Sequence, residues 1–331
     1  MRRLSAWLLC AALLLCLCAC GQESAPGPVL LLRYADNQPK EYPTTKAAEY
    51  FAQLVEERTG GQIRIRVYAD AALGDEIGVF RQLQFGGIDF ARASVGTLAG
   101  FVPEMELLQL PYLFEDAGHM WRVLDGEIGE ELLGTIAGTG VIGLSWFDAG
   151  ARNIYTRLPV ASLDDLEGLT IRVQESELMS RMIRLWGASP VQMPYGEVYS
   201  ALQTGRIDGA ENNWPSYEAT GHYEAAPYYL LDAHSRLPEA QLVSRITLDK
   251  IRALDPAYED LLLACAREAA VYERELWQER ERASEALVRA SGCVVTELNE
   301  AELNRFRVAA QPLYEGFSDA MQALIERIRQ C

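Results

Sequence analysis

The most informative stretch of the chain runs from Leu169 to Pro215 and reads LTIRVQESELMSRMIRLWGASPVQMPYGEVYSALQTGRIDGAENNWP. Leu169, Ile171 and Val173 share one face of a predicted strand, because neighbouring side chains of a strand point to opposite faces. Arg172 therefore points the other way, at the carboxyl end of the strand. Ligands of open α/β sheets lie outside this end of the strands, and the planar fork of an arginine matches a carboxylate. We therefore predict that Arg172 binds a carboxylate, with a surface ion pair as the alternative.

A nine-residue pattern occurs twice in the chain. LQFGGIDFA begins at Leu83 and LQTGRIDGA begins at Leu202, so both copies read L-Q-x-G-x-I-D-x-A. In each copy a helix would stop at a glycine, which adopts a positive φ without strain, and a strand would follow. Two copies in one chain favour two similar α/β lobes, with a chance match as the alternative.

Length and composition indicate a globular protein with an acidic body. The 331 residues are 49% hydrophobic and 23% charged, which is enough for two lobes of ordinary size. The formal net charge of −17 argues against nucleic acid or an anionic lipid surface as a partner. An anionic ligand would therefore have to be met by cations placed locally in its site.

The amino-terminal segment resembles a targeting signal. Two arginines precede an apolar run that is shorter than the ~20 residues of a membrane-spanning helix. The run LCACG at residues 17–21 resembles a bacterial lipobox. We therefore predict a lipoprotein signal peptide over residues 1–19, lipidation of Cys20 and a tether over residues 20–28. A cleaved signal peptide without lipid and an uncleaved anchor are the alternatives.

No motif predicts catalysis, a cofactor or a metal site. The sequence contains neither H-E-x-x-H nor G-x-S-x-G, and its three histidines are scattered. The G-x-G-x-x-G match at residues 138–143 lies between a predicted helix and a following strand, which is the reverse of the dinucleotide-binding order. Cys265, Cys293 and Cys331 show no metal-site spacing and leave a Cys265–Cys293 disulfide open. We predict a protein that is not an enzyme, with a glycosidase-like carboxylate pair as the alternative.

Several longer motifs occur in an order that resembles a known family. They are GGQIRIRVYADAALGDEIGVFRQLQFGGIDFA from Gly60, FVPEMELLQLPYLF from Phe101, FDAGARNIY from Phe147 and the stretch from Leu169. Together they resemble the DctP-type extracytoplasmic solute-binding proteins of TRAP transporters, from about residue 30 to the end of the chain. AENNWPSYE from Ala210 and DAHSRLPEAQL from Asp232 resemble the subgroup that binds hexuronates such as glucuronate and galacturonate.

The resemblance implies an α/β, two-lobed, periplasmic-binding-protein-like fold with hinge strands and a long C-terminal helix that spans both lobes. The expected divisions are lobe I over residues 29–150 and 239–277, and lobe II over residues 151–238 and 278–331. The strand that leads into FDAGARNIY and the strand that resumes at PEAQLVSRI would cross between the lobes. Charges at i, i+4 spacing predict the long helix over residues 257–290.

The resemblance also implies a cleft that closes on the ligand. Arg172 would hold the carboxylate bidentately, Arg152 would add a second cationic donor, and Asn212 matches the asparagine of the family's ENP-like turn. That turn reads ENNWP here, so the neighbouring contacts depart from the family pattern. The other residues expected around a sugar ring are Asn37, Glu76, Glu175 and Glu239, with Trp214 stacked on its apolar face or, alternatively, packed in the core.

The resemblance implies capture of a small organic acid, a hexuronate according to the subgroup motifs, and its delivery to TRAP membrane subunits. The predicted lipid anchor would hold the protein on the extracytoplasmic face of the membrane. Arg172 would equally serve a C4-dicarboxylate, a keto acid or an aromatic acid. A sensor in place of a transporter is the alternative partner.

Overall fold

The computed structural model describes residues 29–331, which form a mixed α/β fold around one nine-stranded sheet. The predicted signal peptide, the lipidation site Cys20 and the tether at residues 20–28 lie outside the described residues. Within residues 29–331, no helix combines the length and the apolar character needed to cross a bilayer.

Strands and helices alternate along most of the described chain. In chain order they are β1 (Leu30–Ala35), α1 (Pro43–Arg58), β2 (Ile63–Tyr68), α2 (Glu76–Gln84), β3 (Phe90–Ser94), α3 (Val95–Ala99), α4 (Ala117–Leu124), α5 (Glu127–Thr135), β4 (Val141–Thr156), β5 (Thr170–Val173), α6 (Glu177–Leu185), β6 (Ser189–Gln192), α7 (Val198–Gln203), β7 (Gly209–Asn212), α8 (Trp214–Ala219), α9 (His222–Ala225), β8 (Tyr228–Ser244), α10 (Arg245–Leu254), α11 (Tyr258–Ala290), β9 (Val294–Glu297), α12 (Glu300–Ala310) and α13 (Asp319–Arg329).

Two long antiparallel strands join the halves of the sheet. The strand order is β2-β1-β3-β8-β4-β7-β5-β6, and β9 pairs with the first part of β8. β4 has 16 residues and β8 has 17, so each extends from the β1–β3 half into the β5–β7 half. A register shift interrupts their pairing between Asp148 and Ala151. The structure thereby confirms the two-lobed fold with two crossing strands.

The repeated sequence pattern corresponds to one hydrogen-bonding arrangement used in both lobes. Asp89 accepts the backbone N–H of Arg33 on β1 at 2.8 Å, and its own N–H donates to the Arg33 carbonyl at 3.3 Å. Asp208 repeats this with Thr170 on β5, at 2.9 and 2.8 Å. The glycine three residues before each aspartate has a positive φ, 67° in one copy and 72° in the other. Each copy therefore fixes a helix end against a neighbouring parallel strand.

Helix α11 is the predicted long helix and packs on both lobes. It contacts α1 on one side of the molecule, α8 on the other, and β4 between them. Small residues such as Ala266 and Ala269 are fully buried near its start, while Trp277 is buried at its middle. This helix supports the crossing strands where their register shifts.

The carboxyl-terminal helices also contact both lobes. The Trp186 indole N–H after α6 donates to the Phe306 carbonyl of α12 at 3.2 Å. His119 of α4 is hydrogen-bonded through Nε2 to the Ile328 carbonyl of α13 at 2.8 Å. The last helix thus packs on residues that the sequence analysis placed in lobe I. The three cysteines of the described chain are free thiols.

Candidate functional site

A cavity of about 360 Å³ lies between the two lobes. Its size falls in the usual range of small-molecule sites. Most of the predicted ligand contacts line it, namely Asn37, Glu76, Arg152, Arg172, Glu175, Asn212 and Glu239. These residues come from distant parts of the chain, so the fold brings together what the sequence analysis assembled from separate motifs.

Arg172 is a buried cation without an ionic partner in the described part of the chain. Its side chain leaves β5 and is 3% exposed. Nε and Nη2 donate to the Met193 carbonyl at 2.9 and 2.7 Å, which fixes the plane of the guanidinium. Burial lowers the pKa of Arg172, although Glu211 opposes the effect. The edge formed by Nη1 and Nη2 is left to meet an anion in the cavity.

Arg152 reaches the cavity already paired. It binds Glu211 through Nε and, at 2.8 Å, through Nη2, and Nη1 donates to Asn212 Oδ1 at 2.9 Å. Burial opposes ionisation of Glu211, but Arg152 and His234 hold its pKa down to about 2. His234 in turn binds Asp232 at 2.7 Å. Burial opposes the charge of His234, but Asp232 and Glu211 together raise its pKa to about 9. Arg152 is therefore a rigid, largely neutralised donor.

Arg92 is a site residue that the sequence analysis missed. It lies on β3, is 3% exposed and lines the cavity in lobe I. Its guanidinium binds Asp36 at 2.9 Å, Glu239 at 3.1 Å, and also Glu76 and Asn37. The available signal was a single charged residue in the short strand FARAS, since a buried charge requires a partner.

Glu76 and Asp75 divide two roles at the start of α2. Asp75 is the helix cap and accepts the Gly78 N–H at 2.7 Å. Glu76 turns towards the cavity, where its Oε2 accepts hydrogen bonds from Ser94 at 2.6 Å and Thr97 at 2.8 Å. Burial opposes its charge, but Arg92 and these hydroxyls lower the pKa of Glu76. Glu76 is thus an ionised carboxylate in the wall of lobe I.

Glu239 differs from the other carboxylates of this wall. It lies on β8, where Oε1 accepts a hydrogen bond from Arg92 while Oε2 is buried without a partner. Burial raises the pKa of Glu239 to about 7, with Glu76 and Asp36 adding to the rise and Arg92 opposing it. This oxygen is an unsatisfied polar group at the edge of the cavity, and such groups are costly when buried.

The two ends of the cavity consequently have opposite character. Lobe II presents Arg172 with one free edge, which suits a carboxylate. Lobe I presents Arg92 surrounded by three carboxylates, Asp36, Glu76 and Glu239. This second end accepts hydrogen bonds and repels a further anionic group. The cavity therefore fits a molecule with one acid group and several hydroxyls.

Trp214 is not a ring-stacking residue of the cavity. It is the first residue of α8, and its indole stacks on Tyr229 with centroids 3.8 Å apart and planes 15° apart. The prediction that it would contact the sugar is therefore wrong, and core packing explains the tryptophan. Tyr195 does line the cavity, and its hydroxyl donates to the Ser216 carbonyl at 2.8 Å.

Contacts across the cleft describe a closed arrangement. The Tyr42 hydroxyl in lobe I lies 2.8 Å from the Ser216 hydroxyl in lobe II. The helix-capping Ser176 donates to Gln109 at 2.5 Å. Gly96 of α3 approaches the opposite lobe so closely that a Cβ there would lie 2.1 Å from Gln174 Oε1. The lobes therefore meet on several sides of the cavity.

Comparisons with known proteins agree with this architecture. The family model of bacterial extracellular solute-binding proteins, family 7 (DctP), matches residues 34–320. A solute-binding protein of Chromohalobacter salexigens is 40% identical over 280 residues, which are 84% of this chain and 82% of the relative.

Two solved structures of TRAP periplasmic solute-binding proteins superpose closely on the chain. The protein from Xanthobacter autotrophicus Py2, with bound β-D-galacturonate, is 39% identical with a TM-score of 0.87 and covers 91% of this chain and 99% of its own. The protein from Pseudomonas putida F1, with bound D-glucuronate, is 36% identical with a TM-score of 0.88 and covers 91% of this chain and 97% of its own.

Proposed function

The chain belongs to the bacterial extracellular solute-binding proteins of family 7, and we propose that its inter-lobe cavity captures a hexuronate, glucuronate or galacturonate. As a solute-binding protein of the TRAP type it presents its ligand to membrane subunits. The observation that carries the proposal is the buried guanidinium of Arg172, which has a fixed plane, a free edge towards the cavity and no carboxylate partner in the described chain.

Hydroxyl recognition distinguishes a hexuronate from a C4-dicarboxylate. With its acid group on Arg172, a dicarboxylate would place its second charge near Glu76 and Glu239. Like charges in a closed cavity disfavour binding, whereas sugar hydroxyls can donate to the same oxygens. Asn37, Glu175 and Asn212 would complete the contacts of the ring. The hexuronates bound by the two structural relatives support this assignment.

The cellular setting of the proposal follows from the family and from the amino-terminal sequence. A solute-binding protein of this family acts outside the cytoplasm, and we propose that lipidation of Cys20 attaches it to the membrane.

We also propose that it returns its ligand chemically unchanged and has no catalytic role. Recovery of intact galacturonate after prolonged incubation with the protein tests the absence of a catalytic role, and a shortened or oxidised product would contradict it.

A panel of acids tests the proposed ligand class by thermal unfolding. A ligand that binds the folded state alone stabilises it by RT ln(1 + [L]/Kd), about 2.7 kcal/mol at a hundredfold excess over Kd. We expect galacturonate or glucuronate to raise Tm, and succinate and the uncharged sugar galactose to leave it unchanged. A rise with succinate but not with either hexuronate would contradict the proposal.

A further inference from the structure

The strongest unexplained feature of the molecule is the unpartnered oxygen of Glu239. Oε2 is buried, lies at the cavity and forms no hydrogen bond in the described chain. The other oxygen of the same carboxyl shares Nη1 of Arg92 with Glu76. One guanidinium nitrogen thus serves two carboxyl groups, and neither can be fully compensated by it.

Glu239 is surrounded by groups that together disfavour its charge. The titratable and charged groups that face it come from seven segments, namely Tyr34 on β1, Asp36 after β1, Tyr42 before α1, Glu76 on α2, Arg92 on β3, Arg152 on β4 and Glu273 on α11. Its two cations, Arg92 and Arg152, already have carboxylate partners of their own. The remaining groups are acids or phenols and add no positive charge.

A bound anion adds to this imbalance. The ligand of the proposed function brings another negative charge into the same cavity, while closure removes the water that solvates Glu239 in an open cleft. Both changes penalise an ionised carboxylate. Resting on the proposed function, we propose that capture of the anionic ligand is coupled to uptake of one proton from solvent by the Glu239 carboxyl.

The proton is assigned to Glu239 because the neighbouring carboxylates Glu76 and Asp36 accept hydrogen bonds from hydroxyl groups, which stabilise their charged forms. Glu76 accepts from the hydroxyls of Ser94 and Thr97, and Asp36 accepts from the hydroxyl of Thr44 at 2.9 Å, so both are supported as anions. Glu239 has no such donor on Oε2. The pKa of about 7 that burial and Glu76 give Glu239 agrees with this order of titration.

Protonation also gives Oε2 a function in binding. A neutral carboxyl carries one O–H donor and keeps an acceptor, whereas a carboxylate only accepts. The protonated group can therefore donate to a hydroxyl or ring oxygen of the sugar while Oε1 still accepts from Arg92. The proton thereby satisfies an oxygen that would otherwise remain unpaired in the closed cavity.

The coupling predicts that affinity falls as pH rises. Burial is the largest cause of the raised pKa of Glu239, so opening of the cleft to water lowers this pKa below the value of about 7 that it has in the closed cavity. The closed state binds more protons between the pKa values of the open and closed states, so the binding constant is highest at low pH. From about pH 6 to about pH 8 we expect the affinity to decrease about tenfold.

The contribution of other ionisable groups near the ligand to the pH dependence of affinity can be distinguished from that of Glu239. Burial lowers the pKa of His222 to about 3, and His234 titrates at about 9, so neither changes charge in the window from about pH 6 to about pH 8. Burial also raises the pKa of Glu175, with Asp75 and Glu76 adding to it. Loss of the uptake in Glu239→Gln separates Glu239 from Glu175, and Glu177→Gln, which changes an exposed carboxylate paired with Arg184, is the matched control.

Titration calorimetry of galacturonate in buffers of different ionisation enthalpy measures the proton count directly. At about pH 6 we expect close to one proton taken up by the wild type and by Glu177→Gln, and none by Glu239→Gln, whose affinity should vary far less with pH. Proton release, no exchange, or uptake that persists in Glu239→Gln would overturn the inference. Absence of any binding heat and any Tm shift with all hexuronates would instead refute the proposed function.

Discussion

Replacement of Arg172 by alanine is the sharpest test of the site. The substitution removes the guanidinium edge that faces the cavity but leaves the rest of the site in place. A carboxylate buried there without its partner costs about 3–5 kcal/mol. Since a tenfold change in Kd corresponds to about 1.4 kcal/mol, the affinity for galacturonate or glucuronate should fall at least about a hundredfold.

The same substitution should leave the ligand-free protein folded. Arg172 has no carboxylate partner in the described chain, so its removal strands no buried charge; only the Met193 carbonyl loses its donors. The Arg172→Lys variant keeps the charge but cannot reproduce the fork that holds Met193 and an acid together. We expect it to bind better than alanine and worse than arginine.

Isothermal titration with galacturonate and glucuronate measures these losses, and thermal unfolding without ligand shows that each variant is folded. The matched control is Arg184→Ala, because Arg184 is an exposed arginine of the same lobe that pairs with Glu177 on the surface. An unchanged titration of Arg172→Ala, or an equal loss in Arg184→Ala, would refute the role of Arg172.

Three further predictions follow from the same contacts. Arg152→Met should destabilise the fold by about 3–5 kcal/mol in urea unfolding, because it removes the arginine partner of the buried Glu211 carboxylate and leaves it with His234; a stability equal to that of the wild type would contradict this. Gly96→Leu should prevent closure against Gln174, so small-angle scattering should show an open shape that ligand does not compact, whereas normal compaction would argue against the contact. Burial, with Asp148 adding, raises the pKa of Glu273 well above its usual value, so this residue contributes stability at low pH that is lost as pH rises, and Glu273→Gln should raise Tm more at about pH 8 than at about pH 5.

Local patterns predicted parts of the framework, whereas the hinge strands and the helix that spans both lobes were expected from the family resemblance. Alternation placed Arg172 on the polar face of its strand, and the repeated pattern ending in Asp89 and Asp208 indicated two similar lobes. Both signals depend on residues close together in sequence. The structure adds the reason for the repeat, since each aspartate fixes the strand beside it through backbone groups.

The composition of the lobe I wall could not be predicted from local patterns. Arg92 has its partners 56, 16 and 147 residues away in the sequence, at Asp36, Glu76 and Glu239. No periodicity connects such positions. Trp214 shows the opposite difficulty, because an aromatic residue beside the polar run ENN suggests a sugar platform until Tyr229 is known to stack on it.

The continuity of β4 and β8 determines how the two lobes can move. Because both strands run unbroken through the middle of the sheet and are hydrogen-bonded to each other, relative rotation of the lobes has to twist a two-stranded ribbon rather than swing about loose linkers. The pairing is interrupted beside Asp148, where Gly150 has a φ of 61°, and again between Arg152 and Ile154, so the ribbon has fewer bonds to strain along this stretch. Opening and closing of the cleft therefore deform one and the same pair of strands.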